Sequence, residues 1–123
     1  MAGDQEDERG VLAVDLGGTH LRVAVAHHGG RVTDRREVPT PQEDPAPAAL
    51  VALAQEVKAS AVDPPVARAV VGIPGPVDYR RGRLEWAPHL PETWHTQLSE
   101  AHLGAALGLP VGVANDADLA AVG

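Results

Sequence analysis

The chain has 123 residues, 44% of them hydrophobic and 2% aromatic, no Phe or Cys, and a formal net charge of −7. That length suits one domain with an aliphatic core. Without Cys there is no disulfide framework and no cysteine metal site; the acidic balance argues against nucleic acid as the main partner, and no apolar run approaches the roughly 18 residues of a membrane span.

Residues 1–10 carry the acidic run Asp4-Gln5-Glu6-Asp7-Glu8, lack a signal-peptide pattern, and read as a disordered tail. Strands are expected at 11–15, 21–27 and 31–38, with Gly29-Gly30 turning the second into the third. Residues 39–47 form a proline-rich connection. Residues 48–59 place Leu50, Leu53, Ala54 and Val57 at helical spacing. A strand follows at 67–73, then a short strand at 83–86 after a turn at 79–82. A second helix spans 98–107, closed by Gly108 and Pro110. The last strand is 111–114, and a helix starts after Asn115. The order is βββαβαβα, an α/β pattern.

Three segments in this order carry chemistry. The first is Asp15-Leu16-Gly17-Gly18-Thr19, at the end of an apolar strand. Glycines without a Cβ let backbone N–H groups approach an anion closely. Asp15 is placed to hold a magnesium ion, directly or through water, and Thr19 adds a hydroxyl for a phosphate. A plain β-hairpin turn explains Gly-Gly equally well. The second is Gly72-Ile73-Pro74-Gly75-Pro76-Val77-Asp78. Pro-Gly-Pro stops strand and helix alike, leaving an ordinary turn or a stiff wall that lets a ligand approach Gly75. The third is Asn115-Asp116, again after a strand. It reads as a helix N-cap or as a general base beside an amide that binds hydroxyls.

Together with Ala87-Pro88-His89-Leu90 and Gly108-Leu109-Pro110-Val111, these segments resemble the ROK (repressor, open reading frame, kinase) family of bacterial sugar kinases and sugar-responsive regulators. The likeness runs from Val11 to the end of the chain. It implies a half-domain of the actin-like ATPase (ribonuclease H-like) fold, cut short, with residues 11–123 as the N-terminal lobe. The second lobe of the family carries most of the nucleotide site and a zinc-binding cysteine cluster. The implied activity is ATP-dependent transfer of a phosphoryl group to a hexose or hexose derivative, a glucokinase being one case. The implied roles are Asp15, Gly17, Gly18 and Thr19 on ATP phosphates and Mg2+, Asp116 as the base, and Gly75, His89, Asn115 and Asp116 on the sugar. The likeness further implies a cytoplasmic protein, homodimeric at full length, with no nucleic-acid or membrane partner. Without the second lobe to close over ATP, these residues alone are expected to be inactive.

The sequence departs from the family pattern in places. His89 stands where Asn is usual, which bears on sugar preference. His20 occupies a variable position and Ala114 replaces a frequent Glu. The regulators of the family carry a DNA-binding helix-turn-helix ahead of the first motif, whereas the residues before Val11 here are few and acidic. A sugar-sensing regulator is therefore the alternative reading, and another actin-like ATPase a third. Elsewhere the readings are structural: His27-His28 as an exposed hairpin end, Arg80, Arg81 and Arg83 as a solvated turn, Glu85 and Glu92 as surface, and Trp86 and Trp94 as packing residues, with a sugar-facing edge open to Trp94.

Overall fold

The computed structural model describes residues 9–41, 45–62, 65–85 and 91–115. Their elements, in chain order, are β1 Gly10–Leu16, β2 His20–Ala26, β3 Val32–Pro39, α1 Pro45–Ser60, β4 Val66–Ile73, β5 Val77–Asp78, β6 Arg83–Leu84, α2 Glu92–Gln97, α3 Glu100–Leu107 and β7 Val111–Asn115. The five longer strands fall within a residue of where the sequence predicts them. The helix expected after Asn115 lies outside the described residues.

Three local differences have simple causes. Helix α1 begins at Pro45 and takes in Pro47, because first-turn residues need no backbone N–H bond. The helix expected over 98–107 is α3, starting two residues later at Glu100, and a separate short helix, α2, precedes it. The break falls at Leu98 and Ser99; Ser99 is extended, and its hydroxyl accepts from the His102 N–H at 3.1 Å, capping α3. Helix α3 closes on Gly108, left-handed at φ 66°, whose N–H reaches Gly104 O at 2.9 Å. Finally, the strand expected at 83–86 is one arm of a hairpin, with Val77 opposite Leu84 and Asp78 opposite Arg83.

The main sheet has the order β3-β2-β1-β4-β7. Strands β1, β2 and β3 pair antiparallel; β1 with β4 and β4 with β7 pair parallel. Edge strand β3 is mostly exposed and charged, and its register slips where Asp34 sits at φ 55°. A bulge and charges of both signs make that edge a poor template for another strand.

Alternation along β1 buries Leu12, Val14 and Leu16 on one face and leaves Val11, Ala13 and Asp15 half-buried on the other. Helices α1 and α3 cover the first face. Leu50, Leu53 and Val57 of α1 and Leu103 and Leu107 of α3 complete an aliphatic core with Leu21, Val23, Val71 and Ile73. The helices are also tied to each other. Lys58 Nζ and Gln55 Nε2 each donate at 2.6 Å to the carbonyls of Leu107 and Ala106, which the end of α3 leaves without helical partners. Trp94 joins the same core, which supports its packing role.

Candidate functional site

Parallel pairing sets where the three motifs meet. Asp15 lies opposite Gly72, Gly72 opposite Ala114, and Ile73 opposite Asn115. Strands β1, β4 and β7 therefore run out at one edge of the sheet. The Gly17–Thr19 turn and the Pro74–Pro76 loop leave from that edge, and Asp116 follows directly in the chain. Asp15 and Ala114 stand two strands apart, roughly 10 Å at ordinary strand spacing. Open α/β sheets bind ligands at this kind of edge.

The Gly17–Thr19 segment is the turn of the β1–β2 hairpin. The Gly17 N–H donates to His20 O at 3.0 Å, so this amide serves the turn. A Cβ on Gly17 would sit 2.9 Å from the same backbone oxygen, whereas one on Gly18 would meet nothing within 4 Å. Gly18 thus faces open space, as a close backbone approach to an anion requires. Thr40, just past β3, fixes the turn from behind. Its hydroxyl donates to Gly17 O at 2.8 Å and its N–H to Thr19 O at 2.9 Å. Thr19 Oγ1 lies 3.1 Å from His20 Nδ1.

Asp15 lies on the sheet face away from the helices, with Oδ1 buried. It shares a cleft of about 370 Å³ with Arg22, Ala24, Arg35 and Glu37. Arg22 is its cross-strand partner and pairs with Glu37 at 2.7 Å. That hydrogen bond holds the Glu37 carboxyl below its usual range and pushes the Arg22 guanidinium up, Asp15 adding a smaller upward push. Among the described residues no three His, Asp or Glu side chains gather as a metal cage. Magnesium does not call for one, since it typically uses one or two carboxylates with waters and substrate phosphates. A half-buried Asp beside an open glycine turn fits that donor set.

At the other side of the edge, the Asn115 side chain donates from Nδ2 to Gly75 O at 2.5 Å, and its backbone N–H donates to the Tyr79 hydroxyl at 3.1 Å. Gly75 and Asn115, both predicted to face a sugar, are thus in contact. Asp78 caps the hairpin turn through Oδ1, which accepts from the Arg80 and Arg81 N–H groups at 3.2 Å. Glu100 braces β7 from α3: its Oε2 accepts from the Val113 N–H at 2.9 Å and its own N–H reaches Gly82 O at 2.7 Å. His89 and Asp116 lie outside the described residues. The His27 ring meets the Thr33 hydroxyl at 2.6 Å.

Thr40, Tyr79 and Glu100 are the residues that sequence reasoning missed. Their partners lie 13 to 36 residues away, so no local pattern marks them. For Tyr79 one signal existed: it is the only Tyr of the chain and directly follows the second motif.

The family model described as "ROK family" matches residues 11–123. The chain belongs to the ROK family. Its likeness to ROK proteins extends to single relatives. It is 33% identical over 113 residues to a glucokinase of Streptomyces coelicolor, covering 91% of this chain and 34% of that protein. Among solved structures it matches the ROK hexokinase from Thermus thermophilus with a TM-score of 0.75 at 32% identity, covering 92% of this chain and 37% of that one. It also matches a ROK glucokinase from Streptomyces griseus, solved with glucose and AMPPNP, with a TM-score of 0.71 at 29% identity, covering 91% and 35%. The chain thus spans about a third of the length of the curated relatives it matches. Its mixed five-stranded sheet is the actin-like ATPase fold of these ROK structures.

Proposed function

We propose that this chain contributes the sugar-facing edge and part of the phosphate-facing edge of an ATP-dependent sugar kinase acting on a hexose such as glucose. One observation carries the reading: the Gly17–Thr19 turn and the Pro74–Pro76 loop leave the ends of β1 and β4 at the same edge of the sheet where β7 ends on Asn115. The likeness to glucokinases and a hexokinase of the ROK family supports the substrate class.

In this reading Asp15 is the residue that would hold magnesium, and Gly18 and Thr19 face the phosphates. Magnesium, when bound, offsets phosphate charge. Gly75 and Asn115 orient the sugar, with His89 a further contact. Asp116 accepts the proton of the attacking hydroxyl as its oxygen bonds to the γ-phosphorus and the bond to the β-phosphate oxygen breaks, releasing ADP. Phosphoryl transfer asks mainly for alignment and charge neutralisation, which two neighbouring loop sets on one rigid sheet can supply.

The test is glucose-dependent ADP release by the full-length protein, alongside calorimetric titration of glucose. Turnover that requires both glucose and ATP supports the kinase. Glucose binding without any ADP release would instead favour a sugar-sensing regulator. Absence of both would remove the reading.

A further inference from the structure

We propose that Tyr79 is a positioning residue of the sugar site, holding the end of β7 and the Pro-Gly-Pro loop in one fixed arrangement. The proposal rests on the sugar-kinase reading above. Tyr79 is 58% exposed, so it adds little to the core. What it offers is its hydroxyl, which accepts the Asn115 N–H at 3.1 Å. That amide sits at the last residue of β7, which pairs with β4 on one side and, among the described residues, ends the sheet on the other. Asn115 in turn donates to Gly75 O. The β5–β6 hairpin, the loop at Gly75 and the end of β7 are therefore linked through two adjoining hydrogen bonds centred on one residue.

The linkage has consequences for binding. Asn115 and Gly75 are the two described residues assigned to the sugar, and Asp116 is the next residue in the chain. The hairpin that carries Tyr79 also leads, one residue after β6 ends at Leu84, into the segment containing His89. Loss of the Tyr79 hydroxyl would free the Asn115 backbone, and with it the aim of the Asn115 side chain. The Gly17–Thr19 turn belongs to a different hairpin, held by Thr40, and is not part of this linkage. Sugar affinity should therefore respond to Tyr79 while nucleotide affinity does not.

The experiment is Tyr79→Phe in the full-length protein, which removes the hydroxyl and keeps the ring. Glucose and AMPPNP affinities are measured separately, with amide hydrogen exchange at Asn115. The expected result is glucose binding weakened by roughly 3- to 10-fold, as for one lost hydrogen bond, unchanged AMPPNP binding, and faster exchange at Asn115. Unchanged glucose affinity, or equal loss toward both ligands, would overturn the role of Tyr79. Unchanged exchange at Asn115 would overturn the linkage itself. If the wild-type protein binds AMPPNP but no glucose, the sugar-site reading fails and this role with it.

Discussion

The side-chain amide of Asn115 spans from the end of β7 to the carbonyl of Gly75, joining two motifs that lie 40 residues apart in sequence. An amide suits this contact because it carries donors as well as acceptors. A carboxylate at the same place would set two acceptors against each other. Asn115→Asp should therefore lower stability by about 1–3 kcal/mol, read as a fall in melting temperature near neutral pH. The fall should shrink in acid, where the new carboxyl is protonated and can donate. An equal loss at both pH values would argue against this contact.

The two glycines of the first turn should behave differently on gaining a methyl group. Gly17→Ala sets a Cβ against the His20 carbonyl oxygen, and overpacking of this kind typically costs 1–3 kcal/mol, about. Gly18→Ala meets nothing and should leave the melting temperature nearly unchanged. If Gly18 is the point of phosphate approach, its variant should still weaken AMPPNP binding. Denaturation curves and nucleotide titrations on the two variants separate the turn role from the ligand role.

Thr40 supplies two hydrogen bonds to that turn, one through its side chain. Thr40→Val keeps the shape and the backbone bond and removes only the bond to Gly17 O. A loss of about 1 kcal/mol is expected. Hydrogen exchange should rise around residues 17–19 and not around Asn115. A uniform rise across the sheet would show that Thr40 acts on global stability instead.

The Arg22–Glu37 pair gives a pH signature. Glu37 titrates below its ordinary 4.5 because Arg22 hydrogen-bonds its charged form. A depressed carboxyl contributes stability that is present above its unfolded value and lost as pH falls through the folded one. Both side chains are largely exposed, so the effect is small. An NMR titration should place the Glu37 midpoint below 4.5, and Arg22→Gln should return it upward. A midpoint that ignores Arg22 would contradict the pairing.

Most of the sheet was legible in the sequence because β1, β2, β4 and β7 are largely apolar runs; β3 is charged and exposed, and what marked it was the Gly29-Gly30 turn before it. Helix α2 was not legible: in Glu92-Thr93-Trp94-His95-Thr96-Gln97 only Trp94 is buried, and six residues are too few to show a period. Strand β6 lies within the short strand expected at 83–86, but its partner β5, two residues long, is too short to alternate. Pro45 and Pro47 read as a linker because proline breaks helices everywhere except their first turn. In the site, Asp15, Gly18 and Asn115 stood out because each sits at a strand end in a recognisable motif. Thr40 and Glu100 could not, because what they do depends on pairing between distant segments.

Asp116 carries the chemical core of the account, and the full-length Asp116→Asn variant tests it most directly. Asn caps a helix as well as Asp does, so a purely capping role predicts normal turnover and normal stability. A general base predicts turnover reduced by roughly 10²–10⁴-fold, with melting temperature and glucose affinity close to those of the wild type. Near-normal turnover in that variant would contradict the mechanism.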